Sequence, residues 1–402
     1  MSGNFDRQME KAGKRHAAGD YKGAAKIYRT LLARDPGNDI VRFFHALAEF
    51  DLGKREKAID TLKDITTRVR DVPKIHMDLG HMLDREARYA EAADAFAAAA
   101  RLSPMEPGPH IMSGHMRMQM GDADAAVDGY RKGLDLQPGA NEARVALTRA
   151  LMTAGRWDEA ALECERVLRA APGHTGAMAL KSIVCYETGN ADEARKIADF
   201  EKRLMIHDIA DHVGADQVES VNASLSEAIT NHPTIAYEPR DYSTKKGYHT
   251  GDITRDTSGP IPPFLDWIRA EVDALIARCR ETQADDFERR APAAYKINAW
   301  GVVMEDQGHQ ASHIHRDAWL SGVYYPKVPD AVSEDDDTHA GWIEFGTPHD
   351  YPKRKTVSDV KMLLPRPGRA IFFPSYFYHR TVPLKATETR ISIAFDVIPQ
   401  SR

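Results

Sequence analysis

The stretch GDYKGAAKIYRTLLARDPGN, residues 19–38, decides the fold of the first half of the chain, because its key positions recur at a fixed interval. A second version, GRWDEAALECERVLRAAPGH, occupies residues 155–174, four intervals of 34 residues later. A repeat of this length predicts supersecondary units that stack on one another and bury a continuous core. The first position of the pattern is occupied by Gly19, Gly53, Gly121, Gly155 and Gly189, with Ala87 in the remaining repeat.

The recurring positions fit a pair of antiparallel helices. The glycine ends the first helix, where a left-handed residue is most favourable without a Cβ atom. A small alanine lets the two helices approach closely, and a proline ends the second helix in most repeats. The pattern therefore predicts about six helix pairs over residues 1–208. The alanine column consists of Ala24, Ala58, Ala92, Ala126, Ala160 and Ala194.

These columns resemble the tetratricopeptide repeat (TPR) family over roughly residues 5–208. The resemblance implies stacked helix pairs that form a curved solenoid with a concave face. In that family the concave face usually holds a peptide or another protein. A protein or peptide partner on this face is therefore what the resemblance implies, whereas the oligomeric state of the chain is left open.

A different pattern begins near residue 209. Amphipathic helices are predicted at about 215–232 and 262–282, separated by a polar stretch at 242–260 that is typical of a loop. From about residue 293 the hydrophobic period falls to two, in short segments that are rich in β-branched and aromatic residues. The prediction is a multidomain α + β chain, in which an α-solenoid over 1–208 precedes a jelly-roll domain with flanking helices over 209–402.

Histidines in the second half form a candidate metal site. His313 and His315 stand two residues apart before a predicted strand, so both rings face one side of an extended chain, and Asp317 continues that side. His379 follows another predicted strand. The remaining histidines between 309 and 379 are assigned to solvated loops: His309, His339 and His349.

An Arg-x-Ser pair on the last predicted strand completes the layout of a facial-triad iron site. Three ligands on one face of Fe(II) leave the other positions open for 2-oxoglutarate and dioxygen. Arg390 suits the far carboxylate of 2-oxoglutarate, because a guanidinium binds a carboxylate bidentately and keeps its charge. Ser392, two residues along and on the same side, can add a hydrogen bond.

The segment from about 215 to 399 resembles the 2-oxoglutarate/Fe(II) oxygenases that often follow TPR arrays. The resemblance implies a double-stranded β-helix that uses Fe(II) and 2-oxoglutarate, and it assigns His313, His379 and Arg390 to metal and cosubstrate roles. It also suggests a cosubstrate-contacting hydroxyl at Tyr325. The matching stretches are INAWG, HIHRDAWLSGVYYPKVP, GWIEFGTP, RPGRAIFFPSYFYHRTVP and RISIAFDV.

The third metal ligand has two candidates. The wider superfamily uses His-x-Asp, which His315 and Asp317 would provide, and His313 would then not bind the metal. The closer family reads His-x-His, which His313 and His315 provide. We favour the second alternative, because Asp317 stands only three residues before the strand LSGVYY.

Composition limits the class of protein. A formal net charge of −6 over 402 residues argues against a general nucleic-acid binder. No secretory leader and no apolar run of membrane-spanning length are visible, and the three cysteines form no CxxC pair. We therefore expect a cytoplasmic protein that binds neither membranes nor nucleic acids.

These features favour an iron- and 2-oxoglutarate-dependent dioxygenase, with hydroxylation of a peptide or protein that the TPR array recruits as the expected reaction. The main alternative is a non-catalytic TPR adaptor whose jelly-roll domain is degenerate. A zinc hydrolase ranks last, since it would leave Arg390 and Ser392 without a role.

Overall fold

The computed structural model describes residues 2–239, 243–348 and 351–400. Its packing divides the chain into two compact units, Met1–Ala154 and Gly155–Arg402. Residues 155–208 thus belong by packing to the second unit, although their sequence continues the 34-residue repeat. The sequence boundary after residue 208 stays a prediction about where the repeats end.

The first unit is built from consecutive antiparallel helix pairs. Short polar residues cap several of the helices: the Asp20 side chain accepts a hydrogen bond from the backbone N–H of Gly23, and Asn38 and Asp122 act in the same way. The helices of the described part of this unit are α1 (Ser2–Ala17), α2 (Tyr21–Leu32), α3 (Asp39–Asp51), α4 (Arg55–Arg68), α5 (Pro73–Arg85), α6 (Tyr89–Leu102), α7 (Pro107–Gln119), α8 (Ala123–Leu136) and α9 (Asn141–Ala154).

The left-handed position that ends the first helix of each pair is confirmed. The backbone φ angle is +79° at Gly19, +85° at Gly53 and +78° at Gly121, and the second unit continues the series with +76° at Gly155 and +79° at Gly189. In the one repeat without glycine, Ala87 adopts the same conformation, with φ of +56°. The geometry of the repeat therefore determines this conformation even where the residue disfavours it.

The alanine column lies at the closest contacts between paired helices. Ala24, Ala58, Ala92 and Ala126 are completely buried. The large residue four positions after each alanine fills the space beside it: Tyr28, Leu62, Phe96 and Tyr130, all at most 1% exposed. Small and large residues thus alternate along the core of the unit, as close packing requires.

The second unit begins with helices that continue the repeat pattern and then changes to β-structure. Its helices are α10 (Trp157–Ala170), α11 (Thr175–Glu187), α12 (Ala191–Ile197), α13 (Phe200–Arg203), α14 (Ala210–Val213), α15 (Val218–Thr230), α16 (Ile261–Thr282) and α17 (Asp286–Arg289). Its strands are β1 (Met205–Asp208), β2 (Ala236–Tyr237), β3 (Thr244–His249), β4 (Tyr295–Gln310), β5 (Leu320–Lys327), β6 (Ile343–Phe345), β7 (Lys361–Leu363), β8 (Arg369–Pro374), β9 (His379–Thr381) and β10 (Arg390–Pro399).

The strands form two antiparallel sheets. The larger sheet has the order β1-β8-β5-β10-β4-β3-β2, and the smaller sheet has the order β7-β6-β9. Strand β10 lies at the centre of the larger sheet, in regular register with β4 from Arg390 opposite Met304 to Pro399 opposite Tyr295. This arrangement confirms the predicted fold class, a helical repeat array followed by a jelly-roll-type β domain with flanking helices.

The two faces of the larger sheet serve different purposes. On the outer face, the buried Tyr324 ring of β5 contacts Phe264 and Trp267 of α16, and its hydroxyl group donates a hydrogen bond to Asn222 of α15. The opposite face of β10 presents Arg390 and Asp396. Helices α15 and α16 therefore support the sheet from behind and leave its inner face for polar side chains.

The loop predicted at 242–260 is wrong over residues 244–249, whereas residues 250–260 contain neither strand nor α-helix and Tyr242 lies outside the described residues. Residues Thr244–His249 form strand β3, which pairs with the long strand β4. The segment lacks a strong strand pattern of its own, so pairing with β4 overrides its polar local composition. Among the described residues, no helix has both the length and the apolar character needed to cross a membrane.

Candidate metal centre

Three imidazole rings converge on the inner side of the β domain. His313, His315 and His379 each offer one ring nitrogen, and these three nitrogens lie within 4.8 Å of one another. Three nitrogens bound to one ion at about 2.1 Å lie roughly 3.0–3.6 Å apart, so side-chain rotations of about 1–2 Å would be needed to bring the rings to a common ion. The three side chains could therefore hold one metal ion.

Backbone hydrogen bonds fix the main-chain positions of the three histidines. His313 and His379 form an antiparallel bridge in which each backbone N–H donates to the carbonyl of the other, at 3.0 and 3.1 Å. The backbone N–H of His315 donates to the carbonyl of Ser375, just after β8, at 3.1 Å. The segment with the His-x-His pair is thereby tied to the chain around the third histidine on both sides of the site.

Each ring has a hydrogen-bond acceptor beside its Nδ1 atom. The acceptor is the Ala311 carbonyl for His313 at 2.8 Å and the Phe377 carbonyl for His379 at 3.0 Å. For His315 it is the carboxylate of Asp396, at 2.9 Å. An acceptor at Nδ1 favours the proton there and leaves Nε2 as the nitrogen that can bind a metal. In His313, Nε2 also lies 3.4 Å from Ser243 Oγ.

The environment of His379 favours a neutral ring, the form that binds metals. Burial, followed by the neighbouring His313 and His315 rings, lowers the pKa of His379 well below its ordinary value. His379 is also 6% exposed, whereas its two partners are half-buried on the open side of the site. The set therefore combines one interior donor with two donors that face an opening.

The structure separates Asp317 from this cluster. Asp317 lies in a turn with an exposed side chain, and it is not one of the three residues that converge. The chain turns after His315, so the extended geometry that would have aligned residues 313, 315 and 317 ends before the third position. Of the other predicted loop histidines, His309 lies in strand β4, His339 lies in a turn, and His349 lies outside the described residues.

Arg390 and Tyr325 form a second group of interior polar side chains. The Arg390 guanidinium, 2% exposed, lies 4.8 Å from the centre of the completely buried Tyr325 ring, and its Nη1 atom contacts Met304 Sδ at 3.3 Å. Burial lowers the pKa of Arg390 and raises the pKa of Tyr325. Ser392, two residues along β10 from Arg390, is likewise buried.

This group lacks the partners that buried polar atoms normally have. Arg390 Nε and the Tyr325 hydroxyl group are buried with no hydrogen-bond partner beyond each other's side chains, and among the described residues no ion pair joins Arg390 to a carboxylate. A buried cation without a counter-ion is unfavourable unless a ligand supplies the negative charge. The pair therefore fits an anionic ligand such as a carboxylate.

Two residues of the site were missed or underrated in the sequence. Asp396, on the same face of β10 as Arg390 and Ser392, contacts His315, and strand alternation over Arg390-x-Ser392-x-x-x-Asp396 was the signal that could have revealed it. Trp300 of β4 stacks on the His315 ring, with 5.6 Å between centres and 18° between planes. An aromatic residue in a strand fits simple core packing equally well, so its contact with His315 is evident only from the structure.

A cavity of about 420 Å³ opens beside His313 and His315. Most of its lining residues are polar in type, and Trp300 and Ile314 are the main apolar side chains among them. The polar part of the wall includes Ser243, His249, Asp252, Asn298, Gln310 and Asp396. The cavity gives the histidine cluster access to a small molecule or to a single side chain of a larger substrate.

Comparison with known families agrees with both halves of the chain. The sequence model of a family described as "Putative 2OG-Fe(II) oxygenase" matches residues 298–396, a range that contains the three histidines, Arg390 and Asp396. Two tetratricopeptide repeat models match residues 15–78 and 111–175. The chain thus has tetratricopeptide repeat matches in its first half and a match to the "Putative 2OG-Fe(II) oxygenase" family over residues 298–396.

Solved structures that are similar to the chain resemble part of it. The MamA protein is 24% identical with a TM-score of 0.39, covering 42% of this chain and 92% of its own. YrrB, titled a TPR protein with an unusual peptide-binding site, is 19% identical with a TM-score of 0.39, covering 44% and 90%. PilF of Pseudomonas aeruginosa is 15% identical with a TM-score of 0.40, covering 49% and 90%. No curated protein matches the chain.

Proposed function

We propose that the second unit is an Fe(II)- and 2-oxoglutarate-dependent dioxygenase whose metal ligands are His313, His315 and His379. The observation that carries the proposal is the combination of two features on one face of the sheet. Three imidazoles each offer one ring nitrogen within 4.8 Å of the other two, and Arg390 is a buried cation without a counter-ion among the described residues. The family match over residues 298–396 supports the same assignment.

The side chains divide the binding of 2-oxoglutarate between them. The three histidines would hold the ion and would leave coordination positions for the cosubstrate. Arg390 would bind the C5 carboxylate, with Ser392 and the Tyr325 hydroxyl as further hydrogen-bond donors. Fe(II) with 2-oxoglutarate supplies the oxidative chemistry, in which dioxygen, 2-oxoglutarate and a C–H bond give succinate, carbon dioxide and an alcohol.

The proposed substrate is a peptide or protein that the TPR half recruits through its concave face. TPR matches over 15–78 and 111–175 support a protein-binding role for this half. The polar cavity supports the same substrate class, because Asn298 and Gln310 present amide groups that can hydrogen-bond with a peptide. The cavity volume of about 420 Å³ suits one side chain beside the metal better than a whole folded surface.

Oxygen-dependent conversion of 2-oxoglutarate into succinate tests the proposal. The full chain loaded with Fe(II) should form succinate as it consumes oxygen, and His379→Ala should reduce the rate to that of free iron. Equal rates for the two proteins would contradict the enzyme proposal and leave a non-catalytic TPR adaptor. Hydrolysis without oxygen consumption would point instead to a metal-dependent hydrolase.

A further inference from the structure

We infer that Asp396 is a positioning residue that orients His315 for metal binding and supplies the negative charge that an all-histidine ligand set lacks. The inference rests on the proposed metal site and extends it to a residue that does not touch the metal. It explains how a site without a carboxylate ligand can still balance the charge of a divalent ion.

Asp396 is part of a closed hydrogen-bond network around His315. One carboxylate oxygen of Asp396 lies 2.9 Å from His315 Nδ1, and the other accepts a hydrogen bond from Ser321 Oγ at 2.6 Å. Ser321 Oγ is 3.0 Å from Ser375 Oγ, and the Ser375 carbonyl accepts from the backbone N–H of His315. The series of hydrogen bonds therefore begins and ends at His315.

The sheet holds this network in place. Asp396 on β10 lies opposite Ser321 on β5 in the strand register, and Ser321 lies opposite Phe373 on β8. The three polar residues are almost fully buried, with exposures of 8% for Asp396, 1% for Ser321 and 0% for Ser375. Buried side chains in paired strands have little freedom, so the carboxylate offers His315 one fixed acceptor.

His315 differs from the other two histidines in the charge of its acceptor. His313 and His379 each face a neutral backbone carbonyl at Nδ1, whereas His315 faces a carboxylate. A carboxylate in this position raises the basicity of the ligand nitrogen and places a negative charge one ring away from the ion. Stacking of Trp300 on the same ring fixes its plane as well.

Cobalt(II) binding by the full chain tests this role, with the dissociation constant and the visible d–d spectrum as readouts. Asp396→Asn keeps a hydrogen-bond acceptor but removes the charge, and we expect it to weaken binding about 10- to 100-fold. Asp396→Ala removes both and should also change the d–d spectrum, because the His315 ring is no longer oriented. Asp330→Asn removes an exposed carboxylate outside the site and should leave both readouts unchanged.

The outcomes separate this inference from the proposed function. If the wild-type chain binds Co(II) and Asp396→Asn binds it equally well, the role of Asp396 is refuted while the metal site stands. If the wild-type chain binds no metal, the metal site itself fails. A measurement on the unmodified apo chain covers the case of a variant that does not fold: ¹⁵N NMR should find the His315 proton on Nδ1, and a proton on Nε2 alone would overturn the inference.

Discussion

The buried charge of Arg390 favours binding of a carboxylate ligand but lowers the stability of the ligand-free protein. Its guanidinium is buried, contacts a methionine sulfur and an aromatic ring, and has no anionic partner among the described residues. A charge in this position destabilises the protein without ligand and becomes favourable when a carboxylate arrives. We interpret the unpaired guanidinium as a binding group for an anionic ligand, because no described residue supplies Arg390 with a negatively charged partner.

Arg390→Met should therefore have opposite effects on stability and on cosubstrate binding. Methionine keeps most of the volume and removes the buried charge, so the melting temperature of the apo protein should stay equal or rise. The affinity for 2-oxoglutarate should fall by about 2–4 kcal/mol, because its far carboxylate loses a charged partner. Calorimetric titration and thermal unfolding check the two halves; a destabilised variant with unchanged affinity would contradict the prediction.

The sequence revealed the histidines and Arg390 but not their full environment. His313, His315 and His379 are recognisable because strand alternation and spacing are local properties of the chain. Asp396 escaped because its role depends on how β10 pairs with β5 and where His315 comes to lie, which are contacts between distant segments. Asp317 remained a candidate because a local turn after His315 cannot be read from alternation alone.

At the scale of single elements, the end of α5 is the least favourable of the repeat's helix ends. Ala87 has a φ angle of +56° at a position where other repeats use glycine. Ala87→Gly should raise the free energy of unfolding by about 0.5–1 kcal/mol, because glycine adopts this conformation without strain. Gly53→Ala is the matched control: its added Cβ meets no atom within 4 Å, so it should destabilise through the backbone alone. Chemical denaturation measures both, and no change in either variant would contradict the strain argument.

The Glu288 side chain links α17 to α13 through Arg203. Glu288 accepts hydrogen bonds from Thr282 Oγ1 at 2.7 Å and from Arg203 Nη1 at 3.1 Å. These contacts, the Thr282 bond first, lower the pKa of Glu288 from 4.5 to about 2. A depressed carboxyl pKa stabilises the fold above about pH 4.5, and this contribution disappears as the pH falls towards 2.

Glu288→Gln should accordingly reduce stability at pH 7 by about 2 kcal/mol, and the difference from wild type should shrink as the pH falls below about 4. Glu201→Gln provides the control, because Glu201 forms an ion pair with Lys361 while its side chain is 82% exposed. An exposed pair of this kind contributes little. Urea unfolding at several pH values measures the effect, and a constant Glu288→Gln deficit down to pH 2 would refute the proposed linkage.

Some helices and strands can be predicted from the local sequence pattern, whereas others form only because they pair with a neighbouring strand. The array of helix pairs could be predicted in detail because glycine, alanine and large apolar residues recur at fixed positions of each repeat. Strand β3 has polar residues at most positions and is a strand because β4 lies beside it. The short strand β1 likewise depends on pairing with β8, and nothing in its own sequence indicated it.

At the scale of the whole molecule, the helices of residues 155–208 are structurally part of the β unit. Strand β1 pairs with β8, and the Glu187 side chain of α11 accepts hydrogen bonds from the backbone N–H groups of Lys355 and Thr356. A fragment of residues 155–402 should therefore be more stable than one of residues 209–402, which exposes the edge of β8.

Thermal unfolding and size-exclusion chromatography of the two fragments test this prediction. The longer fragment should unfold at the higher temperature and remain monodisperse, whereas the shorter fragment should associate through its exposed strand edge. Equal melting temperatures and equal dispersity would show that residues 155–208 are dispensable for the β unit, and would favour a structural boundary after residue 208.

The most direct test of the proposed iron site is the visible absorption spectrum of the full chain under anaerobic conditions. Fe(II) and 2-oxoglutarate added together should give a weak charge-transfer band that neither gives alone, because the cosubstrate chelates iron held by His313, His315 and His379. The band should disappear in His379→Ala and persist in Asp317→Ala. If the wild-type chain shows no band and its thermal stability is unchanged by both additions, the proposed binding of iron and 2-oxoglutarate is contradicted.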